Sequence, residues 1–126
     1  MTRQRNTKQR QAILGAFGRS ARPLAPQEVL GLAAAEVPRL GLATVYRNIR
    51  VLEEEGVLAR VELPGAPDRY ELAGKGHHHH FHCRDCDRVF DVQGCPRAIA
   101  ELTPAGFRLH SHEVILYGQC DDCADS

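Results

Sequence analysis

The sequence predicts an α+β protein in which an N-terminal winged helix-turn-helix is followed by a small C-terminal α/β domain with a four-cysteine structural zinc site. Three helical patterns precede a hairpin pattern in the first part of the chain, and two C-x-x-C pairs lie in the second part. The segment 73–76, Ala-Gly-Lys-Gly, is typical of a short flexible linker. We therefore expect one domain at residues 1–73 and another at residues 74–126. Domains this small bury little surface, so each needs support from a metal or a partner chain.

Two helices are predicted before residue 38. The first covers residues 7–17, with Thr7 as its N-cap and Gly18 as its stop. The second begins at Pro26, a residue suited to a first helical turn, and Pro38 ends it. Its expected apolar face consists of Val29, Leu30, Leu32 and Ala33.

The third predicted helix, residues 43–55, has an apolar and a polar face. Val45, Ile49 and Leu52 recur at the i, i+4, i+7 spacing of a core-facing stripe. The opposite face carries Thr44, Arg47, Asn48 and Arg50, and Tyr46 lies between the two faces. A helix that enters the major groove of DNA needs this layout, in which Arg47 can pair with guanine or a phosphate. By periodicity alone, a solvated helix of a small bundle fits equally well.

A hairpin and the distribution of charge favour DNA. Residues 57–63 and 69–72 form two predicted strands around a turn, which completes a winged helix. Residues 1–50 contain nine Lys or Arg and two Glu, a net charge of +7, and residues 51–126 carry a net charge of −7. The basic part is suited to phosphates and the acidic part to cations. Further affinity for the DNA backbone is expected from Arg3, Arg5, Lys8 and Arg10.

Two cysteine pairs predict the zinc site. They are Cys83 with Cys86 and Cys120 with Cys123, and four thiolates satisfy tetrahedral zinc. Redox thiols are the alternative, but no thioredoxin-like unit surrounds either pair. The fifth cysteine, Cys95, is expected to be a small buried residue and not a ligand.

Four consecutive histidines precede the first cysteine pair. In an extended segment, His78 and His80 share one face, and His77 and His79 share the other. This alternation can build two metal sites, although a solvated linker with chance histidines is the alternative. Glu71 and Asp91 are candidate ligands beside the first pair, and His112 and Glu101 beside the second. Mixed imidazole and carboxylate shells suit Zn(II), Fe(II), Mn(II), Co(II) or Ni(II).

The remaining elements of the second domain are short. We predict strands at residues 88–92, 107–110 and 113–117, and a helix at residues 96–102. The chain has no apolar run of the roughly 18 residues that a membrane span needs, and its polar N-terminus lacks the core of a signal peptide. We therefore expect a cytosolic protein without a membrane partner.

Several motifs together resemble the ferric uptake regulator family of bacterial metalloregulators, over nearly the whole chain. They are Gly41-Leu42-Ala43-Thr44-Val45-Tyr46-Arg47, Tyr70-Glu71-Leu72, the histidines leading into Cys83-x-x-Cys86, and Gly118-x-Cys120-x-x-Cys123. The resemblance implies a homodimer that binds palindromic operators in double-stranded DNA when loaded with metal. It places the DNA-reading helix at the first motif, from Ala43 to Arg47.

The resemblance also implies three metal sites. Structural zinc is implied on the four paired cysteines. A regulatory site is implied on His78, His80, Glu71 and Asp91, and a further site on His77, His79 and His112. The sequence departs from the family at two ligands. Many members carry a histidine just before the second helix, where residues 22–25 read Arg-Pro-Leu-Ala, and the acidic ligand of the C-terminal helix aligns near Ala98, with Glu101 as the nearest acid.

These observations predict a metal-dependent transcriptional repressor that controls metal-uptake or metal-homeostasis genes, with zinc or iron favoured as the sensed metal. A zinc-binding storage or protein-interaction module is the alternative, but it leaves the basic third helix unexplained. A zinc hydrolase would need an open zinc position and a general base, and the sequence has no H-E-x-x-H or comparable motif. We therefore expect no catalysis.

Overall fold

The computed structural model describes residues 2–124, with the side chains of residues 7–124. The chain divides into two compact units, Met1–Gly74 and Lys75–Ser126. Arg3 and Arg5, which we expect to contact phosphates, have side chains outside the described residues. Within the described part of the chain, no helix has both the length and the apolar character that crossing a bilayer requires.

Helix α1, Thr2–Ser20, extends beyond its predicted bounds at both ends. The predictions that Thr7 caps it and that Gly18 stops it are wrong, because both residues lie inside the helix. The residues before Thr7 include no proline or glycine, and Arg and Gln are good helix formers, so the helix continues toward the N-terminus. Phe17 is buried beside Gly18, and the helix ends before Ala21, which has a left-handed φ of 53°.

Helix α2, Pro26–Ala33, begins at the proline as predicted. The Glu28 carboxylate accepts a hydrogen bond from the backbone N–H of Ala25 at 3.0 Å, which stabilises the start of the helix. The helix ends at Ala33, well before Pro38. Leu32 is 39% exposed, so its assignment to the apolar face is wrong. It lies at the edge of that face, and the other three predicted residues pack against the core.

Helix α3, Leu42–Glu54, confirms the predicted amphipathic pattern. Val45, Ile49 and Leu52 are buried in the core of the first unit. Gly56 follows the helix with a φ of 79°, a conformation that glycine adopts without strain. Because the apolar face of α3 is packed against the core, its polar face points to solvent.

The hairpin of the first unit consists of β1, Leu58–Val61, and β2, Arg69–Leu72, paired antiparallel. Leu24 and Tyr70 exchange two backbone hydrogen bonds of 2.8 and 2.9 Å, which joins the segment before α2 to the hairpin. The largest fully buried side chains of this unit include those of Ile13, Phe17, Leu24 and Leu52. Three helices and a two-stranded wing around this core form the predicted winged helix.

The second unit contains a three-stranded sheet of order β4-β3-β5. The strands are β3, His79–Cys83, β4, Val89–Val92, and β5, Ile115–Gly118. Strand β3 pairs antiparallel with β4 and parallel with β5. Two single-turn helices complete the unit: α4, Ala98–Glu101, and α5, Asp121–Ala124.

Two expectations for the second unit need correction. The predicted strand 107–110 does not form, and Phe107 is 73% exposed. Alternating apolar residues do not create a strand without a partner, and residues 107–110 pair with none of the three strands. Helix α4 is also shorter than the predicted 96–102, and α5 was not predicted.

The apolar core of the second unit is very small. Within its described part, the buried residues are His79, Cys83, Val89 and Cys120. Three of these four side chains end in an imidazole or a thiol, groups that commonly bind metal ions. A core of this size does not stabilise an isolated domain, so metal binding or a partner chain must contribute to the folding free energy.

Candidate metal centres and nucleic-acid interface

The sheet register brings the two cysteine pairs together. Cys83 is the last residue of β3 and pairs with Gly118, the last residue of the parallel strand β5. Each pair lies in the turn that follows its strand, so the two turns are neighbours. The four sulfur atoms of Cys83, Cys86, Cys120 and Cys123 lie within 4.8 Å of one another.

Hydrogen bonds stabilise negative charge in this cysteine cluster. The backbone N–H groups of Cys86 and Cys120 each donate to Sγ of Cys83 at 3.4 Å, and the bond from Cys86 is the largest cause of a lowered pKa at Cys83. Burial alone would raise the pKa of Cys86, but the Nε of Arg88 donates to its sulfur at 3.1 Å and the pKa is lowered. A hydrogen bond with Cys120 raises the pKa of Cys123. Without a cation, the Cys123 thiol therefore stays protonated.

This donor set fits zinc. Four converging sulfurs supply a closed tetrahedral shell, as in structural zinc sites. A divalent cation would favour the thiolate of Cys123 over its hydrogen-bonded thiol, and the Arg88 guanidinium, bonded to Cys86 and to Asp122 at 3.1 Å, would offset the remaining negative charge. The cluster therefore can hold the structural zinc expected from the sequence.

A second group of ligands lies across strands β3 and β4. His80 pairs with Asp91 in the register, and His78 precedes β3. The Nε2 atoms of His78 and His80 lie 3.6 and 3.8 Å from Oδ1 of Asp91. This oxygen is buried and has no hydrogen-bond partner. A buried carboxylate oxygen without a donor is costly, and a cation between it and the two imidazoles would satisfy it.

One hydrogen bond orients His78 for metal binding. Its Nδ1 donates to the carbonyl oxygen of Gly76 at 2.9 Å, and its Nε2 lies on the side of the ring that faces Oδ1 of Asp91. Glu71, the other carboxylate predicted for this site, lies on β2 of the first unit. Its role as a ligand stays a prediction.

The third group of ligands uses the opposite face of the histidine run. It contains His77, His79 and His112, which share ring-centroid distances of 4.6 to 5.0 Å. Its fourth member is Cys95 and not Glu101, which lies on α4 and belongs to none of the three ligand groups found among residues 7–124. Burial and the neighbouring imidazoles lower the pKa of His79, which favours the neutral form of this ring.

The expectation that Cys95 is a buried packing residue is wrong. The residue is exposed, and its sulfur lies 2.9 Å from Nε2 of His112. Sequence spacing could not place it, because the loop that carries Cys95 and the segment that carries His112 lie 17 residues apart. An unpaired cysteine in a domain rich in histidine ligands is the signal that could have found it.

The outer face of α3 carries the candidate DNA-contacting residues. Ala43, Tyr46 and Arg47 are exposed there, and Arg47 Nη2 donates to Oγ1 of Thr44 at 3.1 Å. A cleft of about 360 Å³ between α1 and α3 is lined by Arg10, Thr44 and Arg47 among others. Arg10 is held at this cleft by Glu55 at 2.8 Å.

Lys8 lies on α1, the helix that forms the other wall of this cleft, and is exposed. Cations from two helices therefore border one groove on the surface of the first unit. This arrangement provides charge for phosphates and, on α3, side chains able to reach base edges.

A sequence model of the ferric uptake regulator family matches residues 2–117. The chain belongs to the ferric uptake regulator family. Proteins of this family are metal-responsive transcription regulators. The ferric uptake regulation protein of Campylobacter jejuni is 34% identical over 125 residues, covering 93% of this chain and 78% of the relative. That of Bordetella parapertussis is 35% identical over 117 residues, covering 88% and 83%.

Solved structures of the family share the fold. The Helicobacter pylori ferric uptake regulator, described with three functional metal-binding sites, matches with a TM-score of 0.72 at 27% identity, covering 94% of this chain and 81% of that one. A zinc-bound manganese uptake regulator matches with a TM-score of 0.77 at 26% identity, covering 89% and 87%. The FurB zinc uptake regulator of M. tuberculosis matches at 0.53 and 26%, covering 94% and 95%.

This member of the family lacks an imidazole ligand in the segment before α2. In residues 22–25, the Leu24 side chain is buried in the core of the first unit, and the Arg22 guanidinium donates to the Glu28 carboxylate at 2.8 Å. Both side chains thus contribute to the structure of the first unit, and neither is a metal ligand.

Proposed function

We propose that the protein is a metal-dependent DNA-binding repressor of metal-uptake or metal-homeostasis genes, with zinc or iron as the sensed metal. The observation that carries the proposal is the buried, unpartnered Oδ1 of Asp91, which faces the imidazoles of His78 and His80. An oxygen and two nitrogens provide part of a coordination shell that an exchangeable divalent ion can complete. A regulator of metal supply needs such a site in addition to a permanent structural one.

The proposed regulatory site includes Glu71 as a further oxygen ligand. This residue lies on β2, just before the linker 73–76, whereas the other three ligands follow the linker. A metal held from both sides of the linker would couple the DNA-binding domain, residues 1–73, to the dimerisation domain, residues 74–126. Coupling free energies between sites are typically about 1–3 kcal/mol, which changes affinity about 5- to 150-fold.

The proposed DNA-contacting surface is the outer face of α3 together with the basic edge of α1. Arg47 is assigned to a guanine or a phosphate, and Thr44 and Tyr46 to thymine methyl groups or phosphates. Ala43 allows the start of α3 to approach the groove closely. Lys8 and Arg10 contribute contacts to the phosphate backbone, which position the protein without reading sequence.

We propose that the second unit forms a homodimer. Its described part exposes apolar side chains that a partner chain can cover: Leu102, Phe107, Leu109, Leu116 and Tyr117. The core of the second unit is too small to stabilise an isolated domain, so dimerisation would bury additional apolar surface. A two-fold dimer would read a palindromic operator with one winged helix in each half-site. Such a protein works beside the chromosome, in the bacterial cytosol.

The identity of the sensed metal depends on more than the ligands. The similar proteins described above are named as ferric, manganese and zinc uptake regulators. Sites made of imidazoles and carboxylates generally bind zinc more tightly than iron or manganese. The concentration of each metal in the cell therefore helps to decide which ion occupies the site. Zinc is favoured by affinity and iron by the names of the similar sequences.

A DNA-selection experiment tests the function. Protein that retains its structural zinc is stripped of labile metal with a mild chelator and mixed with genomic fragments, with and without Zn(II), Fe(II) or Mn(II). We expect enrichment of a palindrome near metal-uptake genes, bound about 5- to 150-fold more tightly with one of the metals. Sequence-independent or absent DNA binding under every metal would instead favour a zinc-storage or protein-interaction module.

A further inference from the structure

The thiol of Cys95 lies among three imidazoles, away from the other four cysteines. Its sulfur is 2.9 Å from Nε2 of His112, and the Nε2 atoms of His77 and His79 are 3.1 Å apart. One donor atom from each of the four residues lies within 4.8 Å of the others. Four donors that converge in this way match the number and spacing that a tetrahedral cation requires.

Three separate parts of the second unit supply these donors. His79 is the first residue of β3, Cys95 lies in the loop after β4, and His112 precedes β5. Because β3 is the central strand, its neighbours bring the loop and the segment to the same end of the sheet. The convergence is therefore a product of strand pairing and does not depend on the flexibility of a single loop.

Hydrogen bonds among the rings define what a metal would replace. The backbone N–H of Val114 donates to Nδ1 of His79 at 3.1 Å, so Nε2 of His79 carries the ring proton and donates to His77. A metal at Nε2 displaces that proton, after which Nδ1 takes up the ring hydrogen and gives up the Val114 bond. Metal binding would thus replace two hydrogen bonds of His79, one with His77 and one with Val114, by coordination of the ion.

We propose that His77, His79, Cys95 and His112 form a three-imidazole, one-thiolate site for zinc, in which Cys95 and not a carboxylate is the fourth ligand. A thiolate and three imidazoles form a softer shell than one completed by Glu101, and soft ligands favour zinc over Mn(II) or Fe(II). The site is closed, with four protein ligands, so it is suited to holding an ion and not to catalysis. The proposal does not depend on DNA binding.

The surroundings of Cys95 are consistent with a zinc site that solvent reaches. A cleft of about 430 Å³ is lined by His79, Cys95, Val92, Val114 and Leu116 among others. Its walls are mainly apolar, which strengthens attraction between a cation and a thiolate. Cys95 is exposed, so both a metal ion and a thiol reagent have access to it.

Cobalt(II) is the first probe, because its spectrum reports the ligand type. The protein carries its structural zinc and the substitution Asp91→Asn, which weakens the neighbouring site. One equivalent of Co(II) should produce tetrahedral bands and a thiolate-to-cobalt charge-transfer band, while one zinc per chain stays bound. Cys95→Ser should abolish the charge-transfer band.

Zinc competition with a chelating dye measures the contribution of each ligand. Cys95→Ser and His112→Ala should each weaken zinc binding by about tenfold or more, since even the loss of a ligand's outer-shell partner costs about 10- to 100-fold. His110→Ala removes an exposed histidine that belongs to none of the three ligand groups, and it should leave the affinity unchanged. A charge-transfer band or a zinc affinity that survives in Cys95→Ser would overturn the proposal.

A measurement on the unmodified chain avoids any dependence on the folding of variants. Iodoacetamide should alkylate Cys95 of the protein that carries only its structural zinc, and zinc added in excess of the two remaining sites should slow that reaction about tenfold or more. Peptide mass analysis identifies the modified cysteine. Alkylation of Cys95 at the same rate with and without added zinc would show that the thiol is not a ligand.

Discussion

The Nζ atom of Lys75 lies 2.7 Å from Oδ2 of Asp91, so an ammonium group already contacts the carboxylate that the proposed regulatory metal would use. Both side chains are largely shielded, with 22% and 14% exposure. Lys75 contacts Oδ2, whereas the metal would use Oδ1, so the ammonium group neutralises part of the carboxylate charge and repels the cation. This repulsion lowers the affinity of the site and helps the ion to leave when its supply falls.

We predict that Lys75→Ala tightens metal binding at the site of His78, His80 and Asp91. Hydrogen bonds to charged groups contribute about 1.5–3 kcal/mol, so the gain should be about tenfold or more. Calorimetry with Mn(II) measures it, because this ion accepts imidazole and carboxylate ligands and binds thiolates poorly. Arg84→Ala is the control, since its guanidinium lies over the Tyr117 ring at 4.3 Å. Equal or weaker Mn(II) binding by Lys75→Ala would contradict the prediction.

A graded loss of structural zinc is expected from Arg88→Met and Cys120→Ser. Arg88 donates to the sulfur of Cys86 and compensates its charge, so its loss should weaken zinc retention by about 10- to 100-fold while the fold survives. Cys120→Ser removes a ligand and should unfold the second unit and abolish dimerisation. Zinc release to a chelator and sedimentation report the two effects. A zinc-loaded dimer of Cys120→Ser would refute the structural role of the cluster.

Arg47→Ala should weaken operator binding and leave the metal content unchanged. Arg47 is exposed on the outer face of α3, and the loss should be about 1–3 kcal/mol if it reads a base. Arg60→Ala is the matched control, because Arg60 is bonded to Glu53 at 3.0 Å on the same unit. Equal affinities of the two variants at physiological salt would mean that the DNA-reading surface lies elsewhere.

Substitutions on the two faces of the histidine run should have different effects on metal-dependent DNA binding. His78→Ala and His80→Ala should give a folded, zinc-stapled dimer whose DNA affinity no longer rises with added metal. His77→Ala should retain most of the response, because His77 faces His112 and not Asp91. DNA affinity measured against metal concentration for the three variants decides between the faces. A lost response in His77→Ala alone would place the switch at the Cys95 site.

Much of the winged helix is readable from the sequence because its signals are local. The stripe of Val45, Ile49 and Leu52 repeats at the helical period, and each of these residues is buried as expected. The start of α2 at Pro26 is equally local. The ends of α1 differ from the predicted ones, because good helix formers continue a helix past a residue that could cap it.

The grouping of the four paired cysteines and the two faces of the histidine run are also predictable from the sequence, because C-x-x-C spacing and the two-residue period of a strand decide which side chains lie together. Only the tertiary structure decided that Cys95 joins His112, that Lys75 contacts Asp91, and that residues 107–110 form no strand. These outcomes depend on which strands pair. A contact between segments distant in sequence leaves no period in the chain, so its partners become visible only when the sheet brings them together.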